Sequence, residues 1–179
     1  MLQHHGIHKC APALALALAV SVVAVATTAA AAAAPRSAKV TAMFASPKSY
    51  KTNPAVTYDQ SSVRSGSRVK VLEKPNNAGG LIVKLSVWGL NPNSKYDAYV
   101  YTRPCGATPA SAGKRTQNGP STEHYSQNEV WLDFKTNLRG VAHSQTAQDW
   151  TFNADQANSV VFLPYHAARV VACVTVPFR

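Results

Sequence analysis

Helical patterning is what this chain lacks first. Beyond its first 34 residues there is no heptad and no extended 3.6-residue hydrophobic period, so coiled coils and helical bundles are excluded, and no internal repeat or low-complexity tract takes their place. Histidine and cysteine are scarce as well. Of six histidines and three cysteines, His4, His5, His8 and Cys10 fall within the first ten residues, leaving His124, His143, His166, Cys105 and Cys173. The three later histidines have none of the tight spacings that mark zinc or iron sites. There is no Gly-x-Ser-x-Gly elbow, no phosphate-cradling glycine loop and no free cysteine nucleophile, which removes the common hydrolase and nucleotide-binding constellations. Acidic residues number only eight against eighteen Lys and Arg, a formal net charge of +10. Yet the basic residues form no run and are not interleaved with aromatics, so specific nucleic-acid binding is not expected.

What is present begins with a leader. Residues 1–34 combine a short head ending at Lys9, an apolar run from about Ala11 to Ala26 and an alanine tract with several small-x-small sites, the pattern of a secretory signal peptide cleaved at about 33/34. Cleavage there places the protein outside the cell or at the cell wall, with no transmembrane segment left, and removes Cys10 and Lys9; the net charge becomes +9. A basic exported chain of this kind is drawn to anionic cell-envelope polymers or to an acidic protein partner. About 145 residues remain, enough for one domain with its own core. Residues 35–60, polar and broken by prolines, read as a flexible lead-in to a domain over 61–179. The even pair Cys105 and Cys173 reads as one disulfide in an oxidising compartment, two free buried thiols being the other reading.

Within that domain the period is two. Leu81, Val83, Leu85 and Val87 alternate with Ile82, Lys84 and Ser86; Tyr96, Ala98 and Val100 with Asp97, Tyr99 and Tyr101; Val130, Leu132 and Phe134 with Glu129, Trp131, Asp133 and Lys135. Shorter candidates lie at 68–72, 140–146, 159–163 and 168–177, each bounded by turn residues. Seven or eight strands without helix signals predict an all-β antiparallel sandwich or barrel.

Five motifs then resemble one family. Gly89-Leu90-Asn91-Pro92 leads into a strand, Tyr96 to Tyr101, followed by Cys105-Gly106; Ala112-Gly113-Lys114-Arg115 comes next; Asn128 to Phe134 is similar to a strand of secreted actinobacterial members; Ser159 to Leu163 and Val170-Val171-Ala172-Cys173 close the series. In order these resemble the copper/zinc superoxide dismutases over roughly residues 81–176, with the segment between Leu163 and Arg169 shorter than the family's. The resemblance implies a superoxide-dismutase-like Greek-key β-barrel or sandwich with a Cys105 to Cys173 disulfide. It also implies that Tyr99, Tyr101, Arg115 and Leu163 stand where the family places metal-ligand histidines, and Val170 where it places a guiding arginine.

Those replacements predict a family member without its chemistry. A phenol must lose a proton near pH 10 before it binds a metal well, a leucine offers no donor, and a guanidinium repels divalent cations. The expected protein has no catalytic residues and no cofactor, and serves as a noncatalytic extracellular or envelope binding or structural module. Two alternatives follow from the same resemblance: an active superoxide dismutase carrying copper and zinc, or a weak envelope metal-binding protein. For either, His124 and Asp133 are the weak candidate metal ligands.

Overall fold

The computed structural model describes residues 1–2, 37–153 and 155–179, and the fold is that of the unit Ala33–Arg179. The expected leader, Met1 and Leu2 apart, lies outside the described residues. Among the described residues nine strands build two antiparallel sheets: β1 (Ala38–Met43), β2 (Ala55–Thr57), β3 (Arg68–Pro75), β4 (Leu81–Trp88), β5 (Lys95–Tyr101), β6 (Phe134–Lys135), β7 (Ala142–Gln148), β8 (Ser159–Pro164) and β9 (Ala172–Thr175). One sheet has the order β1-β3-β4-β7 and the other β2-β9-β8-β5-β6. The only helical segments among the described residues are two short 3-10 turns, Pro47–Ser49 and Pro109–Ala112. None is long and apolar enough to cross a membrane.

The two-residue period explains which side each strand shows. On β3, Val69, Val71 and Glu73 are buried while Arg68, Lys70, Leu72 and Lys74 turn outward; on β4, Leu81, Val83, Leu85 and Val87 are buried. These meet Ala98, Val100, Val160, Phe162 and Val174 of the second sheet in one apolar core. Phe162 centres it, with Phe44 and Phe134 edge-on at 5.7 and 5.4 Å between ring centroids. Chain order supplies a Greek-key return: β4 leaves its sheet, β5 and β6 pair in the other, and β7 comes back beside β4. Gly140 pins the loops at that end. Its φ of 70° and a Cβ position only 2.1 Å from the Leu90 carbonyl oxygen exclude any side chain, while its own carbonyl accepts from Leu90 N at 3.1 Å.

Three sequence expectations change. The lead-in is not loose: β1 pairs with β3 from Ala38↔Glu73 to Met43↔Arg68, and β2 pairs with β9, so the domain starts ahead of residue 61. The small residues Ala38, Val40 and Ala42 gave β1 little apolar signal, and the neighbouring sheet supplies what the segment lacks. The strand expected over 129–135 is regular only at Phe134–Lys135, preceded by isolated bridges Gln117↔Glu129 and Tyr99↔Trp131; Val130, Leu132 and Phe134 are buried as the alternation predicts, but Glu129 is buried as well. Finally β5, β8 and β9 are not half-buried. Nearly every residue on them is covered on both faces, because a second apolar cluster lies over the outside of their sheet.

Cys105 and Cys173 are disulfide-bonded, with Cα atoms 5.7 Å apart and 68 residues between them in sequence. The bond ties the loop after β5 to the middle of β9. A C105A/C173A variant is expected to lose up to about 4 kcal/mol of unfolding free energy on the chain-entropy model. Denaturant titration of the two proteins checks this, and coincident unfolding curves would show that the bridge contributes nothing.

Candidate functional site

The outer face of the five-stranded sheet gathers the residues that the sequence singled out. Tyr99 and Tyr101 leave β5 on the same side, two residues apart. Tyr99, Leu163, Val161, Cys105, Cys173 and Val56 are buried in one cluster, and Tyr58, Tyr101, Trp131 and Val170 pack against it. Four of the five replaced positions, on three stretches of chain, thus lie in a single apolar patch. Arg115 is the fifth. It pairs with Tyr101 through an isolated bridge, and its guanidinium sits 3.6 Å from the centroid of the Tyr99 ring.

A carboxylate that the alternation had put on the outside of its strand organises this face. Glu129 is 1% exposed. Its Oε2 accepts from Arg115 Nη1 at 3.2 Å and from Trp131 Nε1 at 2.9 Å; its Oε1 accepts from Gln117 Nε2 at 3.2 Å and from His124 Nδ1. Burial alone would raise the carboxyl's pKa. The bonds from His124, Trp131 and Arg115 outweigh it and hold the group below the usual glutamate value. Tyr99 moves the other way: burial, with the neighbouring Asp133 charge, pushes its phenol up to about 12. Trp131 meets the Tyr99 ring edge-on at 5.8 Å, so Glu129, Trp131, Arg115 and Tyr99 form one continuous stack of contacts. Beside it opens a cleft of about 380 Å³ whose lining includes Thr102, Lys114, Arg115, Asn118, Pro120 and Gln156.

This donor set does not fit copper. The Tyr99 phenol is held neutral, Leu163 has no donor atom, and the cation of Arg115 already covers the ring. The two weak zinc candidates are engaged separately: His124 bonds Glu129, and Asp133 Oδ1 accepts from Ala98 N at 2.9 Å. His143 lies on β7 in the other sheet, bonded to Ser86 Oγ at 2.9 Å, and His166 follows β8, its backbone N donating to Asp97 Oδ2 at 2.9 Å. Among the described residues, no three His, Cys, Asp or Glu side chains are grouped as a metal site requires. Arg169, next to the guiding-arginine position Val170, is bonded to Asp59 instead. The face therefore holds the Arg115 charge in place between Glu129 and the Tyr99 ring. No protein-family model and no curated protein matches the chain.

From the sequence, Glu129 reads only as an outward residue of the alternating strand over 129–135. The signal that finds it is the pair Glu129-x-Trp131, two residues of one parity opposite Tyr99, which places a carboxylate and an indole on the face that carries Arg115. Glu129→Gln keeps the shape and removes the charge, so at pH 7 it is expected to lower stability by about 2 kcal/mol or more. Because the folded-state pKa of Glu129 is depressed, its contribution is complete above the unfolded value of about 4.3 and is lost as pH falls through the lower folded value. The stability gap between the two proteins should therefore close on acidification, as read from unfolding curves taken at pH 7 and in steps down through the carboxylate range. A gap independent of pH would assign the loss to packing.

Proposed function

We propose that the protein is an exported superoxide-dismutase-like sandwich that has lost the metal ligands of that family and works as a noncatalytic binding or structural module. One observation carries the reading. Every position at which the resemblance expects copper chemistry is occupied by a group that seals the sheet face: Tyr99, Leu163 and Val170 by apolar packing, Tyr101 at its margin, and Arg115 by stacking on Tyr99 and bonding to Glu129. The sites are filled rather than vacant, and the cation that the family takes from solution is here a side chain of the protein. Such a face keeps its shape without metal, which suits a module that presents surfaces in the cell envelope and does not turn over a substrate.

The rival readings, an active dismutase or a weak metal carrier, need nitrogen ligands that converge. His124, His143 and His166 have three different settings. The test is to offer copper and zinc to the purified, disulfide-bonded protein, dialyse, and measure bound metal together with superoxide disproportionation. The expected result is near-zero occupancy with no activity and an unchanged melting temperature. About one copper per chain with turnover would overturn the reading in favour of an enzyme, and about one without turnover in favour of a metal carrier.

A further inference from the structure

Opposite the sealed face, the outside of the four-stranded sheet is open and charged with one sign. Lys39 on β1, Arg68, Lys70 and Lys74 on β3 and Lys84 on β4 all turn outward. No outward position on these four strands is acidic; Glu73, the only acid within them, faces the core and accepts from the backbone N of Arg179 at 3.0 Å. Among the described residues none of the five cations takes part in a salt bridge. The register spreads them evenly. Leu72 lies between Lys39 and Lys84 in one row, and Lys70 lies one step along β3. Cations on this face are thus spaced at roughly 7–10 Å along and across the strands. Protection of sheet edges accounts for Lys39 alone, because β3 and β4 are the inner strands.

The carboxylates that would neutralise such a face are used elsewhere. Asp59 is bonded to Arg169, Glu73 to the chain end, Asp97 to His166 N, Glu129 to Arg115, and Asp133 to Ala98 N. Five of the eight acids are therefore committed to internal contacts. The one large aromatic on the face is also engaged: Trp88 has the Arg68 guanidinium 5.7 Å from its ring centroid and His143 edge-on at 5.9 Å. The face offers no row of free rings for stacking sugars or bases. Its interior apolar side chains Leu72 and Ile82 are half-buried and do not protrude as a membrane-inserting surface requires. What it presents is a two-dimensional array of point charges, four of five of them lysine, the donor that meets phosphate as a point charge.

We propose that this sheet face docks a flexible linear phosphodiester polymer of the polyol-phosphate kind, recognised by the spacing of its charges. This names a partner for the module proposed above and rests on that reading for its role. Polymer binding is measured separately from metal content, so either can fail alone.

The experiment is binding of labelled poly(glycerol phosphate) to the purified protein across a salt series. A K39Q/K70Q/K84Q variant is compared with K48Q/K51Q/K135Q, which removes the same charge from outside the face; melting curves verify that both are folded. The expected result is that the first triple lowers the log–log salt slope by about 2, three contacts at roughly 0.7 each, and weakens binding about tenfold or more. The control triple should change affinity less than about twofold. Equal losses from the two triples would overturn the proposal, since net charge alone would then govern binding. So would tighter binding at the same salt to a single-stranded DNA 20-mer, or to vesicles of 3:1 phosphatidylcholine and phosphatidylglycerol in the absence of binding to the free polymer.

Discussion

A carboxylate buried as deeply as Glu129 has to be met by donors, and the way it is met shapes one side of the molecule. Removing a charge from water costs several kcal/mol unless partners replace the lost hydration. Arg115, Gln117, His124 and Trp131 come from a stretch of irregular chain with few regular backbone ladders of its own, so their convergence on one side chain gives that stretch its fixed course. With Arg115 and Trp131 placed, Tyr99 is covered by a cation on its face and an indole at its edge. Once Tyr99 is covered, β5 has no solvent side. The disulfide completes the seal from the other direction, holding the loop after β5 against β9, where the Tyr58 hydroxyl donates to the Gly106 carbonyl at 2.9 Å.

This explains where the sequence was legible. β3 and β4 bury one face and wet the other, so their alternation stands out in the residue types and their bounds were read closely. β5 alternates equally well, but Tyr99 and Tyr101 could not be told from solvent-facing strand aromatics, because what covers them arrives from residues 115–131. β1 and β2 were missed for the opposite reason. Their side chains are small or polar, and the segment is ordered by pairing with β3 and β9, a property of the partners.

The site divides in the same way. The resemblance to the copper/zinc superoxide dismutases singled out Tyr99, Tyr101, Leu163, Val170 and Arg115 as one group, and in the structure these residues lie over one face of one sheet. Their contacts with Glu129 were not readable, since a glutamate in the outward parity of an alternating strand reads as solvated. Only the loop carrying Arg115 and His124 turns that outward position into an interior one. The pairing Arg115–Glu129 is a long-range fact of the fold even though the two residues are fourteen apart.

The scarcity of acid has a consequence for the other sheet. With eight carboxylates to distribute, a fold that buries or pairs five of them leaves its remaining surface to lysine and arginine by default. Default alone would scatter those cations. Five of them instead occupy adjoining rows of a single sheet, including its two inner strands, where a neutral polar residue would serve solubility equally well. Like charges at such spacing repel one another and make the folded sheet less stable than a mixed surface would. A polyanion lying across the rows relieves that repulsion and displaces its own counterions as it binds. The two faces of the sandwich thus handle charge oppositely: one neutralises its cation internally with Glu129, and the other carries five cations that form no salt bridge among the described residues.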